Sequence, residues 1–373
     1  MRAVRRLKLV EYRNHARYEL ALDGGPVALH GPNGVGKTNI LEAVSLLSPG
    51  RGLRGAAAEE IPRRQTGLGW RIEALIETPE GLWEASTGVS APGAKREVRL
   101  DGKAAAQTAL GARLPMTWLT PAMDRLWTEG ATGRRRFLDR LTLAFDPGHA
   151  EQALIYEKAM RERNRLLKDG PDDPAWLTAL EAQMAPAAAA LARARAETAA
   201  LLEKAQEGAE TAFPRARIAA VGSSEQRFAD IIAAGGAPAE EEVAEAAALA
   251  TSWAAGRSAD MRAGRTLTGP HRTDLSAIYE AKGVEAKLCS TGEQKALLVS
   301  LVLASARALT AKSGAPPILL LDEVAAHLDA DRRAALFDEV VALGAQAWMT
   351  GAGAELFESL GDRGQSVALP GGG

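Results

Sequence analysis

Two short stretches at opposite ends of this chain must end up side by side, and that constrains the fold more than any other feature. Gly31-Pro32-Asn33-Gly34-Val35-Gly36-Lys37-Thr38 fits the pattern G-x-x-x-x-G-K-[ST]. Ile318 to Leu321 is an apolar run closed by Asp322-Glu323. The first reads as a phosphate-binding loop. Its glycines let backbone N–H groups turn inward around a phosphate, and the start of the following helix favours negative charge. The second reads as a buried parallel strand ending in two carboxylates. Both serve one nucleotide, so the chain wraps most of its 373 residues between them.

Local context supports both readings. Val27 to His30 reads as a strand into the loop and Asn39 to Leu47 as a helix after it, the order such a loop requires. Lys37 is expected to bridge the β- and γ-phosphates of ATP, and Thr38 to hold Mg²⁺. Asp322 falls beside the metal, and Glu323 polarises the attacking water. The competing readings are a chance match in a chain with 37 glycines and a strand end with solvated acids. The strand–loop–helix order argues against the first, and the pairing of the two elements against the second.

Ser290-Thr291-Gly292-Glu293-Gln294-Lys295 stands just before an apolar helix, Ala296 to Leu309. Ser290 and Gly292 at a helix start would present donors to a γ-phosphate. Asp322 lies 32 residues past Ser290, room for one helix and one loop. In a single chain this helix start would face away from the chain's own nucleotide. The geometry works when two chains sandwich two ATP molecules, which predicts an ATP-dependent homodimer. Ser290 with Glu293 also forms a capping box, and both readings hold together. Asp329, six residues past Glu323, is expected at the dimer seam, and it reads equally as the N-cap of a helix from Ala330 to Leu343. The strand Gln346 to Thr350 should end toward the γ-phosphate. Many ABC-type ATPases carry histidine there, so Thr350 is expected to be a weaker sensor and hydrolysis slow.

Residues 4–12 and 18–22 read as strands around a turn at Arg13-Asn14-His15, and residues 70–78, 82–89 and 116–120 as further strands. Val98-Arg99-Leu100 followed by Asp101-Gly102 reads as a hairpin. From about Asp124 to Met261 the composition shifts to Ala, Glu, Arg and Leu, which are helix formers. The expected organisation is a head, 1–121, an inserted helical lobe, 122–262, and the rest of the head, 263–373. Breaks are expected near Gly170-Pro171 and Gly235-Gly236, and a disordered tail at Pro370-Gly371-Gly372-Gly373. Net charge is -2, which advertises no nucleic acid globally but allows a local basic patch. Cys289 is the single cysteine, expected to be a small buried apolar residue, so no disulfide forms within the chain. The five histidines show no ligand spacing. No stretch reads as a bilayer span, and no apolar run follows the basic start, so a cytoplasmic protein without a membrane partner is expected.

Lys158, Arg161, Arg165 and Lys168 are spaced three, four and three apart, on one helix face. Arg134, Arg135, Arg136 and Arg140 open the same lobe. A face that tracks DNA phosphates is one reading. A solvated face with Glu151, Glu157 and Glu162 nearby is the other. Arg51 and Arg54 could touch nucleotide or DNA. Trp70, Trp83 and Trp118 read as core.

Taken together, these elements resemble the RecF family, recombination-repair ATPases of the ABC/SMC class. Tyr12-Arg13-Asn14 looks like its N-terminal element, with Tyr where Phe is usual. Residues 31–39 followed by Ile40-Leu41-Glu42-Ala43 look like its phosphate loop and helix, and Gly50-Arg51-Gly52-Leu53-Arg54 like the stretch after it. Arg134-Arg135-Arg136-Phe137-Leu138-Asp139, Arg163-Asn164 with Leu166-Leu167, and Gly269-Pro270-His271-Arg272-Thr273-Asp274-Leu275 resemble its later motifs. Departures are Thr291 and Glu293 in the signature, Ala326-His327 after the carboxylates, and Thr120 to Asp124.

The resemblance implies an α/β, ABC-type phosphate-loop ATPase head with an inserted α-helical lobe. It implies catalysis by Glu323, Lys37 and Asp322, and a metal held by Thr38 and Asp322. ATP would be bound by Gly31, Asn33, Gly34, Gly36, Lys37, Thr38 and Asn39, with Ser290, Gly292 and Asp329 from a second chain. It implies a dimeric DNA clamp that opens on hydrolysis and acts with RecO and RecR to help load RecA at gaps. Thr38 and Ser290 are 252 residues apart, too far for a transporter-type subunit and too close for a long-armed SMC protein.

Overall fold

In the first strand, Leu7 and Leu9 are fully buried while Arg6 and Lys8 turn the other way, as in a sheet with one face on a core. The computed structural model describes residues 1–63, 67–170 and 174–370, and the side chain of His327 is not described. Pro171 of the expected break and Gly371 to Gly373 of the expected tail lie outside the described residues. The elements begin with β1 (Ala3–Tyr12), β2 (His15–Ala21), β3 (Val27–His30), α1 (Lys37–Ser45), β4 (Trp70–Thr78), β5 (Gly81–Val89), β6 (Glu97–Leu100), β7 (Lys103–Ala104), α2 (Thr108–Arg113) and β8 (Met116–Leu119). Next come α3 (Ala131–Phe145), α4 (His149–Asp169), α5 (Pro174–Gln206), β9 (Ala216–Val221), α6 (Ser223–Ala233), α7 (Glu242–Ala263), β10 (Asp274–Tyr279) and β11 (Val284–Glu285). The chain closes with α8 (Thr291–Ser313), β12 (Ile318–Leu321), α9 (Ala330–Ala342), β13 (Ala347–Gly351) and β14 (Gln365–Ala368).

These elements form two compact units. The head comprises Met1–Arg125, Gly208–Arg215 and Cys289–Gly373, and the lobe Leu126–Glu207 and Ala216–Leu288. Two sheets build the head. One is antiparallel, in the order β2-β1-β4-β5-β6-β7, with a hairpin turn at Asp101 and Gly102 where both residues have positive φ. The other, β14-β3-β13-β12-β8, is parallel throughout. β12 is buried at every residue, as a parallel strand covered on both faces must be. Gln346, fully buried, ties the sheets together: its side chain accepts from Val4 N at 2.8 Å and donates to Val4 O at 3.0 Å. One apolar cluster runs through both sheets and α1, from Leu7 and Ile72 to Leu29, Ile40 and Trp348. Trp70, Trp83 and Trp118 are buried in it.

α8 alters one expectation. By length and composition it could cross a bilayer, yet 72% of its most apolar stretch is buried inside the protein, so it is a core helix of the head. Cys289 is half-buried and not fully enclosed.

The lobe also differs from its expected outline. It extends to Leu288 because β10 pairs antiparallel with β9 from Asp274↔Val221 to Tyr279↔Ala216, and this pairing draws residues past 262 into it. The lobe therefore contains a three-stranded sheet, β11-β10-β9, whose strand β9 alternates buried and exposed residues. Alanines 185, 187, 188 and 189 on α5 are buried with Tyr156, Met184 and Trp253, and their small side chains let helices approach closely.

Two buried arginines join the lobe's segments. Arg163 has no exposed surface and donates to Glu181 (3.0 Å), Asp260 (2.7 Å), Thr266 Oγ1 (2.8 Å) and Trp253 O (3.3 Å). Arg195 grips Asp139 with Nε and Nη2 and also reaches Glu225, Pro270 O and Thr273 Oγ1. Burial works against the charged form of Asp139, but Arg195 and His149 outweigh it and hold its pKa below the ordinary carboxylate range. Desolvated pairs of this kind contribute only when every charge is satisfied, as here.

His271 adds a pH dependence. Its Nδ1 meets Tyr156 Oη at 2.7 Å and its Nε2 meets Thr266 O at 3.0 Å. A carbonyl only accepts, so Nε2 carries the proton and Nδ1 accepts from the tyrosine. Burial pushes its pKa down to about 4. The unfolded chain, with an ordinary histidine value of about 6.5, binds more protons between these limits. The stabilisation is therefore complete above about pH 6.5 and is lost as pH falls toward 4. Denaturant melts should show this loss in the wild-type protein, and His271→Gln should flatten the slope in that window.

Candidate nucleotide site

Three neighbouring strands, β3, β13 and β12, run parallel, so their C-terminal ends share one edge of the sheet. In open α/β sheets that edge is where ligands bind. β3 delivers the phosphate loop, β12 delivers Asp322 and Glu323, and β13 delivers Thr350.

Gly36 caps α1 with φ 105, and an added Cβ would lie 2.7 Å from Asn14 Nδ2. Gly31 has φ 147, and its Cβ would lie 2.5 Å from Leu369 O. Only glycine fits either place. Lys37 is buried and curls into the loop, donating to Gly31 O at 2.6 Å and Pro32 O at 2.9 Å. Asn33 and Gly34 are exposed. Thr38 Oγ1 donates to Asp322 Oδ1 at 2.9 Å, and Thr350 Oγ1 reaches the same oxygen at 2.8 Å. Glu323 N donates to Thr350 Oγ1 at 2.8 Å, and Glu323 has φ 55, a left-handed conformation uncommon for a residue with a side chain. A hydroxyl beside a carboxylate is an oxygen donor set that suits Mg²⁺, and a helix N-terminus with an enclosed lysine suits phosphate. The residues present fit both groups.

The loop rests on a carboxylate that sequence reasoning passed over. Glu42 on α1 has no exposed surface and accepts from Tyr12 Oη (3.0 Å), Arg13 Nε (2.8 Å), Arg13 Nη2 (2.5 Å) and Arg54 Nη1 (3.4 Å). Burial, then Glu42, raises the Tyr12 pKa well above its ordinary value, and the bond to Glu42 raises that of Arg13. Arg54 also donates to Asn39 Oδ1 at 2.7 Å, Asn39 donates to Asn14 Oδ1 at 2.7 Å, and Asn14 donates to Val35 O at 3.1 Å. Arg13 and Asn14 thus brace the phosphate loop from the β1–β2 turn. Arg54, left open between nucleotide and DNA, is engaged with α1. The missed signal was an acid between Ile40-Leu41 and Ala43-Val44, where the helix is otherwise buried.

In the signature, the capping box is present. Ser290 N and Oγ lie 2.9 and 3.0 Å from Glu293 Oε2. Gly292 has open space where a side chain would go. Lys295 pairs with Asp124 at 2.9 Å, so two stretches that depart from the family pattern meet. Asp329 caps α9, accepting from Arg332 N at 2.8 Å, and its side chain is exposed.

The basic candidates divide. The guanidinium of Arg134 holds both oxygens of Asp274 at 2.7 and 2.8 Å and also donates to Leu126 O at 3.2 Å, which makes it a joint within the lobe. Arg135 likewise donates to Thr273 O at 2.9 Å. Arg136 is exposed, as are Lys158, Arg161, Arg165 and Lys168 along α4, although Arg165 pairs with Glu162 at 2.8 Å.

A parallel sheet with a phosphate loop, two carboxylates after a buried strand and a capped signature helix defines an ABC-type ATPase head. The family model described as RecF/RecN/SMC N terminal domain matches residues 3–362. The chain is 47% identical over 373 residues to the DNA replication and repair protein RecF of Mesorhizobium japonicum, covering 98% of this chain and 96% of that protein. It is 49% identical over 366 residues to RecF of Rhizobium etli, covering 96% and 95%. A solved structure of the recombination mediator protein RecF-ATP in the RecFOR pathway shares the fold, with a TM-score of 0.79 at 22% identity over 94% of this chain and 92% of that one. This chain belongs to the RecF family of DNA replication and repair proteins.

Glu42→Ala would leave Arg13 and Tyr12 facing an empty buried space, at a cost of about 3–5 kcal/mol. The variant should melt at lower temperature and bind ATP more weakly than wild type. Unchanged ATP affinity in folded protein would show that the β1–β2 turn does not support the loop.

Proposed function

We propose that this protein is an ATP-driven clamp that binds DNA at gaps, dimerises around nucleotide and reopens after slow hydrolysis. One observation carries the reading: Thr38 and Asp322 meet at 2.9 Å beside a lysine-filled phosphate loop, in a chain 47% identical to a RecF protein. Lys37 is assigned to the β- and γ-phosphates, and Thr38 and Asp322 to Mg²⁺. ATP, when bound, would supply the phosphoryl group that passes to water, and Mg²⁺ would offset the charge on its phosphate oxygens. Glu323 orients that water and accepts its proton. Ser290, Gly292 and Asp329 act across the dimer on the partner chain's nucleotide. Ser290's hydroxyl is turned to Glu293 within its own cap, so it must rotate to serve.

Lys158, Arg161 and Arg165 on α4, with Arg136, are the phosphate-tracking residues of this reading, and all four are exposed. DNA stimulates turnover, the protein acts in the cytoplasm, and RecR with RecO are its partners in loading RecA. The relatives' names support the repair role, and the RecFOR context of the similar structure supports the choice of partners.

Light scattering of wild type and Glu323→Gln, with and without ATP·Mg²⁺ and a gapped duplex, tests the proposal. Wild type should dimerise with ATP, Glu323→Gln should remain dimeric, and DNA should raise the dimer fraction. A chain that stays monomeric in every condition would contradict it.

A further inference from the structure

β13 ends beside the carboxylates in a hydroxyl whose bonding capacity is already used. Thr350 Oγ1 lies 2.8 Å from Asp322 Oδ1 and 2.8 Å from Glu323 N. The amide of Glu323 can only donate, so Thr350 accepts there and places its one proton on Asp322. Thr350 has no exposed surface. In this arrangement it has no proton left for a phosphate, which departs from the sensor role expected of the strand end.

What the hydroxyl does hold is strained. Glu323 has φ 55, a left-handed conformation that residues with a side chain rarely adopt. Such conformations persist only where the surroundings over-determine them. Thr350 is well placed to do so. Its strand is registered on both sides, Thr350 to Leu29 of β3 and Met349 to Leu321 of β12. Its β-branched side chain is also stiff at χ1. The oxygen it binds, Asp322 Oδ1, also accepts from Thr38. One continuous chain of bonds thus runs from the phosphate loop through Asp322 and Thr350 to the backbone of Glu323.

We propose that Thr350 is a positioning residue for hydrolysis: its hydroxyl clamps the carboxylate of Asp322 to the backbone of Glu323, so that Glu323 is aimed before nucleotide arrives. This rests on the ATPase reading above. The clamp acts through the carboxylate of Asp322 and the backbone amide of Glu323, and it leaves no hydroxyl proton for nucleotide or water. Its loss should therefore lower turnover and leave nucleotide affinity in place, whereas loss of a phosphate sensor should weaken both.

The test compares wild type, Thr350→Val and Thr350→Ser, with Thr350→Ala as a second hydroxyl-free variant should the valine form fail to fold. Three quantities are read: kcat for ATP, the Kd of a fluorescent ATP analogue without Mg²⁺, so that any slackening of Asp322 at the metal does not enter it, and the melting temperature without nucleotide. Removing the hydroxyl should lower kcat roughly ten- to hundredfold, the usual effect of losing a group that orients a ligand. The Kd should stay near the wild-type value, and Thr350→Ser should retain wild-type turnover. In a Glu323→Gln background, Thr350→Val should cause little further loss of kcat, because both changes disable one unit. Wild-type turnover in a folded hydroxyl-free variant overturns the clamp. So does a Kd weakened in step with kcat, which would return Thr350 to phosphate sensing. A wild-type protein that does not hydrolyse ATP would instead overturn the ATPase reading, and the clamp with it.

Discussion

The 2.9 Å bond from Thr38 to Asp322 joins residues 284 positions apart, and the head is arranged so that it can exist. Closing so long a loop has an entropic cost, which grows only slowly with loop length. The parallel sheet offsets it by placing β3 and β12 one strand apart, with β13 between them. Gln346 then ties β13's start to β1, and Glu42 ties the β1–β2 turn to α1. The phosphate loop is thereby held from below by the sheet and from the side by Arg13 and Asn14. The loop is thus shaped in advance, with Lys37 enclosed by Gly31 O and Pro32 O and the backbone of Glu323 held by Thr350.

The lobe is stabilised by different means. Its helices are alanine-rich and bury small side chains, so each residue contributes little apolar area. Specific polar joints connect its segments. Arg163 and Arg195 each gather acids and carbonyls from several segments, and His271 bonds Tyr156 and Thr266. The recurring motif residues here are mostly these joints: Arg134 on Asp274, Asp139 on Arg195, and Asn164 on Thr266. Their spacing reflects the internal architecture of the lobe as much as any contact with DNA.

How far these features were legible in the sequence follows from the physics. The loop, the carboxylate-ended strand and the hairpin at Asp101-Gly102 are local patterns with local causes, and they stand where they were read. The signature's capping box is local as well. The pairing of Arg134 was not legible, because its partner Asp274 is 140 residues away and a basic run looks the same whether solvated or paired. The lobe's boundary at 262 failed for the same reason, since the β9–β10 pairing that extends it is non-local. Arg195 was hidden in a polyalanine context, where periodicity marks no face. Glu42 could have been found, as a charge on a helix face that the apolar pattern buries. The place of Thr350 at a strand end was legible, but its bond to Asp322 depends on the non-local register of β13 against β12.

The central claim is that a complete site needs two chains, the phosphate loop of one and the signature of the other. Mixing two inactive variants tests it most directly: Lys37→Ala, which disables the loop, and Ser290→Arg, which blocks the signature. In a mixed dimer the loop of the Ser290→Arg chain faces the intact signature of the Lys37→Ala chain. The account predicts that each variant alone lacks ATP turnover and that the mixture recovers part of the wild-type rate. A mixture as inactive as its components, with mixed dimers shown to form, would contradict the claim.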